Sequence, residues 1–363
     1  MKKEIKLMKG NEAIAEAAVR AGCDGYFGYP ITPQTEVIET LMELRPWETT
    51  GMVVVQSESE TASINMVYGA AACGRKAMTT SSSPGISLMG EGLSYIAGAE
   101  LPCVVVNVQR GGPGLGTIQP SQADYFQATK AGGHGDFNML VLAPNSVQEM
   151  YDFVGLGFEL AFKYLNPVMI LSDGVIGQMM EKVVVGDAVP RLTDEEVVEK
   201  YGDWALTGKK NRKRNVVTSL ELEPLRQEKV NHKLQAKYQR MREEEVRYET
   251  IQCEDADYVM VAYGASARMS AKVVEMARED GYKVGLLRPI TLFPFPTEVL
   301  RKMRDRVKGF LSVEMSAGQM KEDIQLAVGC DAVVENYGRY GGVVHTPGEI
   351  YEGLKEKLIS KFE

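Results

Sequence analysis

The sequence predicts two α/β units of the doubly wound kind, each a mainly parallel sheet covered by helices. Short, continuously apolar runs such as "MVVVQ", "PCVVVNV" and "PVMILSD" alternate with longer helical patterns. That alternation marks strands buried on both faces. It stops over one charge-rich stretch and then resumes. The length of 363 residues suits two domains of roughly 100 to 200 residues each.

In the first unit, a helix over "NEAIAEAAVRAG" leads to the strand "GYFGY" and a helix that starts near Thr32. The strand "MVVVQ" and the helix "SETASINMVYGAAACG" follow, then the strand "KAMTTS" and the helix "PGISLMGEGLSYIAGAE". The strand "PCVVVNV" runs into the glycine-rich loop "QRGGPGLGT" and a helix near "SQADYFQATKA". The strand "MLVLA", the long helix "SVQEMYDFVGLGFELAFKY" and the strand "PVMILSD" close the unit. From about Val185 to Thr250 mixed charge dominates, which reads as a connector whose later part is an exposed helix packing on one side. Strand–helix alternation then returns from "DYVMVAYG" to the final helix at "TPGEIYEGL". The expected division is therefore 1–185, a connector over 186–250, and a smaller α/β domain over 251–363.

Apolar residues make up 44% and charged residues 25%, an ordinary globular balance. The net charge of −8 argues against general nucleic-acid binding. No apolar run reaches the roughly 18 residues that span a membrane, and "MKKEIKLMKG" has no signal-peptide core. A cytoplasmic location is expected. The five cysteines are scattered without a C-x-x-C pair, and the three histidines are far apart. A disulfide framework, a zinc ribbon and an internal iron–sulfur cluster are thereby disfavoured. No metal site is expected on this chain.

Ligands of open parallel sheets bind beyond the carboxyl ends of the strands. That rule selects four loops, which carry Thr32, Glu58 with Glu60, Ser81 to Ser83, and Arg110 followed by glycines. Each residue has a structural reading as well. Thr32 suits a helix N-cap with Pro33 at the first helical position. Glu58 suits the first turn of a helix, and Arg110 suits a surface ion pair. Ser81 to Ser83 read as turn and cap residues before Pro84. A hydroxyl, a carboxylate and a guanidinium at one sheet edge also suit a binding site, since arginine grips a substrate carboxylate through two parallel bonds. "GGPGLG" and "YGASARMSA" lack the order of a nucleotide loop, and no G-x-S-x-G elbow occurs.

The segments "YPITPQT", "QSESE", "SSSPGISLMGEGLSYIAGAELPCVVVNVQRGGPGLGT" and "GGHGDFNMLVLAPNSVQEM" together resemble the thiamine-diphosphate subunit of 2-oxoacid:ferredoxin oxidoreductases. The resemblance implies an aminopyrimidine-type thiamine-diphosphate-binding domain followed by a transketolase C-terminal-like domain. It implies that Thr32 hydrogen-bonds the substrate, that Arg110 binds the 2-oxoacid carboxylate, and that Glu58 holds N1′ of the cofactor's aminopyrimidine. A carboxyl group at N1′ favours the imino tautomer that removes the proton from the thiazolium C2. His134 is left open between a substrate or subunit contact and a structural bond, and "ENYGRYGG" is expected at a subunit contact. "SDGVIGQ" lacks the G-D-G…N pattern that binds diphosphate and magnesium. The resemblance therefore assigns the diphosphate, Mg²⁺ and the iron–sulfur clusters to partner subunits: a thiamine-diphosphate/Mg-binding subunit, a gamma-type subunit and a ferredoxin-like subunit.

The implied reaction is coenzyme A-dependent oxidative decarboxylation of a 2-oxoacid, with electrons passing to ferredoxin. "QRGGPGLGTIQPSQADYFQATKAGGHGD" is most similar to the branched-chain (2-oxoisovalerate) group, with the 2-oxoglutarate group next. A non-catalytic assembly subunit of the same fold and a two-domain dinucleotide enzyme are the rival readings. The latter would need a glycine fingerprint the chain lacks.

Overall fold

The computed structural model describes residues 4–130, 132–210 and 212–363. Fourteen strands run in chain order. They are β1 (Glu4–Lys9), β2 (Gly25–Gly28), β3 (Val53–Gln56), β4 (Ala77–Ser81), β5 (Cys103–Gln109), β6 (Leu140–Leu142) and β7 (Pro167–Asp173). There follow β8 (Met180–Val185), β9 (Tyr248–Ile251), β10 (Tyr258–Ala262), β11 (Val284–Pro289), β12 (Thr291–Phe293), β13 (Gly309–Glu314) and β14 (Val334–Gly338).

Seven strands form the larger sheet in the order β12-β6-β7-β5-β4-β2-β3. All its pairings are parallel except β12 with β6. Its central strands are mainly apolar because helices cover both faces: Val104, Val106, Val108, Val168 and Ile170 point into one core, and Val105, Met169 and Leu171 into another. The smaller sheet runs β14-β13-β10-β11-β9, parallel except for β9. The fold is the expected pair of doubly wound α/β units.

Three features depart from the expected layout. Strand β12 lies in the stretch expected for the second domain but completes the first sheet, where Ile290 O accepts Ala143 N–H at 2.8 Å. Strand β9, read as connector, extends the second sheet. Strands β1 and β8 pair as a separate antiparallel ribbon that leaves Ile5 and Leu7 exposed. Within 186–250 the helix Pro224–Glu244 buries Leu234, Tyr238 and Met241, one helical stripe, against the first core. Lys237 on that helix donates to Glu100 and to Leu165 O, and burial lowers its pKa to about 8.

Candidate functional site

Strands β5, β4, β2 and β3 are consecutive neighbours, so their carboxyl ends bring the four expected loops together. Thr32 does not cap a helix. The following helix is Thr35–Leu44, preceded by Gln34, because residues 32–34 form a turn of their own. That turn is pinned from several sides. Pro33 O accepts Asn11 Nδ2 at 2.7 Å and Gln178 Nε2 at 2.9 Å. The fully buried Gln34 donates to Tyr29 O at 3.1 Å and accepts the Thr80 hydroxyl. The Thr32 side chain itself is exposed and takes no partner among the described residues.

Arg110 reaches the same turn. Its Nη1 donates to Thr32 O at 3.1 Å and its Nη2 to Leu115 O at 3.3 Å. A guanidinium has five N–H groups, so three remain, and the buried Nε has no partner. An unpaired buried donor on a charged group costs on the order of 1–3 kcal/mol, which favours a site that an anion completes. Arg110 lines a cavity of about 340 Å³ with Ser83, Ser87, Asp124 and the loop Gly111–Gly114.

The two glutamates of "QSESE" differ sharply. Glu58 is exposed and has no hydrogen-bond partner among the described residues. Glu60 is the first residue of the helix Glu60–Ala72, capped by Ser59, and only 5% exposed. Ser81 Oγ donates to Glu60 Oε1 at 3.4 Å. A Cβ at Gly85 would collide with both Ser81 Oγ and Glu60 Oε1, so only glycine leaves the carboxyl its space. The Glu60 carboxyl is thus packed inside its own chain, while Glu58 faces outward at the same sheet edge as Thr32, and Ser82 Oγ and Arg110 Nε are buried without a partner among the described residues. The sequence leaves the two carboxyls side by side, and burial is what separates them.

Other expected residues lie elsewhere. His134 is exposed in a cleft with Ser94, Tyr95 and Asn231, its carbonyl accepting Ser94 Oγ at 2.6 Å, and the structure does not bring it to Arg110. In "ENYGRYGG", Gly342 packs on this chain's own glycine-rich loop: its N lies 2.9 Å from where a Gly111 Cβ would stand, and a Cβ on Gly342 would meet Thr117 and Gln119. Asp173 of "SDGV" is buried and accepts Val175 N–H, Ile176 N–H and Ala265 N–H, so its oxygens are already occupied. Burial nonetheless raises its pKa. Among the described residues no group of three His, Cys, Asp or Glu is placed to hold a metal ion.

Comparison with known proteins bears on this arrangement. Residues 16–279 match the family described as pyruvate flavodoxin/ferredoxin oxidoreductase, thiamine diphosphate-binding, and residues 256–350 match pyruvate:ferredoxin oxidoreductase core domain II. Ketoisovalerate oxidoreductase subunit VorB of Methanothermobacter thermautotrophicus is 51% identical over 97% of this chain and 97% of its own. 2-Oxoglutarate synthase subunit KorA of the same organism is 38% identical over 96% and 97%. Among solved structures, 2-oxoglutarate:ferredoxin oxidoreductase from Magnetococcus marinus, with 2-oxoglutarate, coenzyme A and succinyl-CoA bound, superimposes with a TM-score of 0.85 at 29% identity. The match covers 98% of this chain and 65% of that one.

Proposed function

Because the chain belongs to the thiamine-diphosphate-binding family of pyruvate flavodoxin/ferredoxin oxidoreductases, we propose that it is a subunit of a 2-oxoisovalerate:ferredoxin oxidoreductase. The enzyme converts a branched 2-oxoacid and coenzyme A to acyl-CoA and CO2, and two electrons pass to ferredoxin. The observation that carries the substrate is the 51% identity with a ketoisovalerate subunit along nearly the whole of both chains, against 38% for a 2-oxoglutarate subunit. 2-Oxoglutarate is the second reading, favoured by the structural relative that binds it.

Thiamine diphosphate supplies, when bound, a carbon nucleophile for the 2-oxo group and a sink for the electrons that decarboxylation leaves. This chain's contribution is the aminopyrimidine side and the substrate clamp. We assign the N1′ carboxyl to Glu58. The support is its exposure at the same strand edge as Thr32, which a group needs in order to meet a cofactor whose diphosphate a partner subunit holds, whereas Glu60 is packed inside its own chain against Ser81 and Gly85. Arg110 offers its spare N–H groups to the 2-oxoacid carboxylate, a bidentate, charge-assisted contact. Thr32 offers its hydroxyl to the substrate from a turn whose backbone Arg110 also holds, so the two act as one rigid unit. The diphosphate, Mg²⁺ and iron–sulfur clusters belong to partner subunits, a reading supported by the occupied oxygens of Asp173. No helix of the described residues is long and apolar enough to cross a membrane, and a cytoplasmic assembly accords with that.

The test is anaerobic dye reduction by the purified complex with coenzyme A and a panel of 2-oxoisovalerate, 2-oxoglutarate, pyruvate and indolepyruvate. Fastest coenzyme A-dependent reduction with 2-oxoisovalerate is expected. Absence of reduction with every 2-oxoacid, in a complex loaded with thiamine diphosphate and clusters, would leave only the fold assignment standing.

A further inference from the structure

The end of β5 and the start of the following helix meet at one carboxyl oxygen. Asp124 Oδ2 accepts Ser83 Oγ at 2.5 Å and Asn107 Nδ2 at 2.9 Å. Ser83 N–H donates to Asn107 Oδ1 at 3.1 Å, which closes the ring, and Arg110 N–H donates to Ser83 Oγ at 3.1 Å. Ser83 opens the helix Ser83–Gly98, whose Gly85 leaves room for the Glu60 carboxyl. Asn107 and Arg110 stand at the end of β5. Four bonds therefore fix β5 against the start of that helix, and two of them converge on Asp124.

We propose that Asp124 is a positioning residue for the 2-oxoacid reaction: acting through Ser83, it sets Arg110 in register with the start of the helix Ser83–Gly98. The proposal rests on the assignment of Arg110 to the substrate carboxylate made above. The other Asp124 oxygen takes no protein partner among the described residues, and Asp124 lines the cavity beside Arg110 and the glycine loop. Burial raises the pKa of this carboxyl, while Ser83 and Asn107 hold it down. The ring is indifferent to the outcome, because a proton on the free oxygen leaves both accepting lone pairs of Oδ2 in place. An asparagine with its carbonyl oxygen at that point keeps both bonds. Alanine keeps neither.

The experiment uses the assembled complex with Asp124→Asn, Asp124→Ala, Ser83→Ala and Arg110→Ala. Asp124→Ala and Ser83→Ala should each lower kcat/KM for 2-oxoisovalerate about tenfold or more, chiefly through KM, as expected when a clamp is displaced by a fraction of an ångström. KM for coenzyme A and affinity for thiamine diphosphate should stay at wild-type values. Asp124→Asn should stay within about threefold of wild type, the rescue that a positioning role demands. If Asp124→Ala does not assemble, Ser83→Ala, which cuts the same link with a smaller change, decides. Wild-type kinetics in Ser83→Ala beside a crippled Arg110→Ala would overturn the proposal alone. An Asp124→Asn as poor as Asp124→Ala would overturn it too, since the carboxyl would then act on the reacting groups itself. An unimpaired Arg110→Ala would remove the substrate assignment beneath it.

Discussion

Glu60→Gln and Glu58→Gln, made in parallel, separate the two carboxyls that the sequence leaves side by side. Glutamine has the shape of glutamate, and at Glu60 its amide oxygen can still accept the Ser81 hydroxyl that lies 3.4 Å from Glu60 Oε1. At Glu58, exposed at the edge where a partner-held cofactor would arrive, what is lost is a carboxyl able to share a proton with N1′. Positioned proton transfer contributes about 10²- to 10⁴-fold, so kcat of Glu58→Gln should fall by that factor, a barrier increase of roughly 3–5 kcal/mol. Glu60 is buried inside its own chain, and Glu60→Gln should leave kcat within about threefold of wild type because it touches no reacting group. The assay is anaerobic dye reduction by the reconstituted complex at saturating 2-oxoisovalerate and coenzyme A, with assembly and cofactor content checked in the same preparations. The reasoning is refuted if Glu60→Gln abolishes turnover while Glu58→Gln retains it.

Arg110→Lys keeps the charge but loses the planar fork. At about 1.5–3 kcal/mol for a hydrogen bond to a charged group, kcat/KM for the 2-oxoacid should drop roughly 10- to 150-fold in initial-rate measurements, with coenzyme A kinetics unaffected. Arg288, on β11, donates to Glu149 Oε1 and Glu249 Oε2, both at 2.9 Å, and to Ala143 O at 3.2 Å, and so clamps the second sheet to the first unit. Arg288→Met should cost about 3 kcal/mol of stability in urea titrations, the lower end for a broken buried pair, because Glu249 is exposed enough to turn to water; an unchanged midpoint would remove the clamp from the account. His345 is buried with Nε2 3.0 Å from Ser266 Oγ and Nδ1 unpartnered, and burial lowers its pKa to about 4. Since the folded state resists its protonation, stability should be complete above the unfolded pKa of about 6.5 and decline as pH falls from there toward 4. His345→Gln should flatten that slope in unfolding experiments between pH 6.5 and 4.5, and an identical slope in both proteins would show that other groups cause it.

The central strands were legible because a strand buried on both faces is mainly apolar, as in the fully buried "CVVVNVQ" of β5, whose two polar residues, Asn107 and Gln109, lie toward its carboxyl end and are hydrogen-bonded. The peripheral strands were not, for the same reason in reverse. β9 reads "YETI", is exposed along its length, and sits in a charged stretch, while β12 is three residues long and joins the sheet of the other unit. Pairing with a distant strand leaves no local periodicity to detect. At the site, the rule placing ligands at strand carboxyl ends correctly grouped Thr32 and Arg110, which the structure links directly. Thr32 as an N-cap failed because the intervening turn is held by Asn11, Gln34 and Gln178. The contrast between an exposed Glu58 and a buried Glu60 was invisible in sequence, since it turns on which of two neighbouring carboxyls faces Ser81 and Gly85.

The second domain braces the segment that leads to the proposed site. Gln122, two residues before Asp124, is fully buried and bonded on all sides. Its Oε1 accepts Ser266 Oγ at 2.7 Å and Met315 N–H at 3.0 Å, its Nε2 donates to Tyr263 O at 2.9 Å, and its own N–H donates to Met315 O at 3.0 Å. Those partners belong to the second sheet and its first helix, whereas the segment they hold returns to Arg110 through the bridge between Arg110 and Pro120. A buried network satisfied at every atom has one low-energy arrangement, because shifting any member strands a polar group. Close contact of Gly342 with Gly111 adds a steric limit on the other side of the arm. The position of Arg110, the proposed substrate clamp, is thus set by the packing of two domains as well as by the glycine-rich loop, which alone would be too pliable to hold a guanidinium in one place.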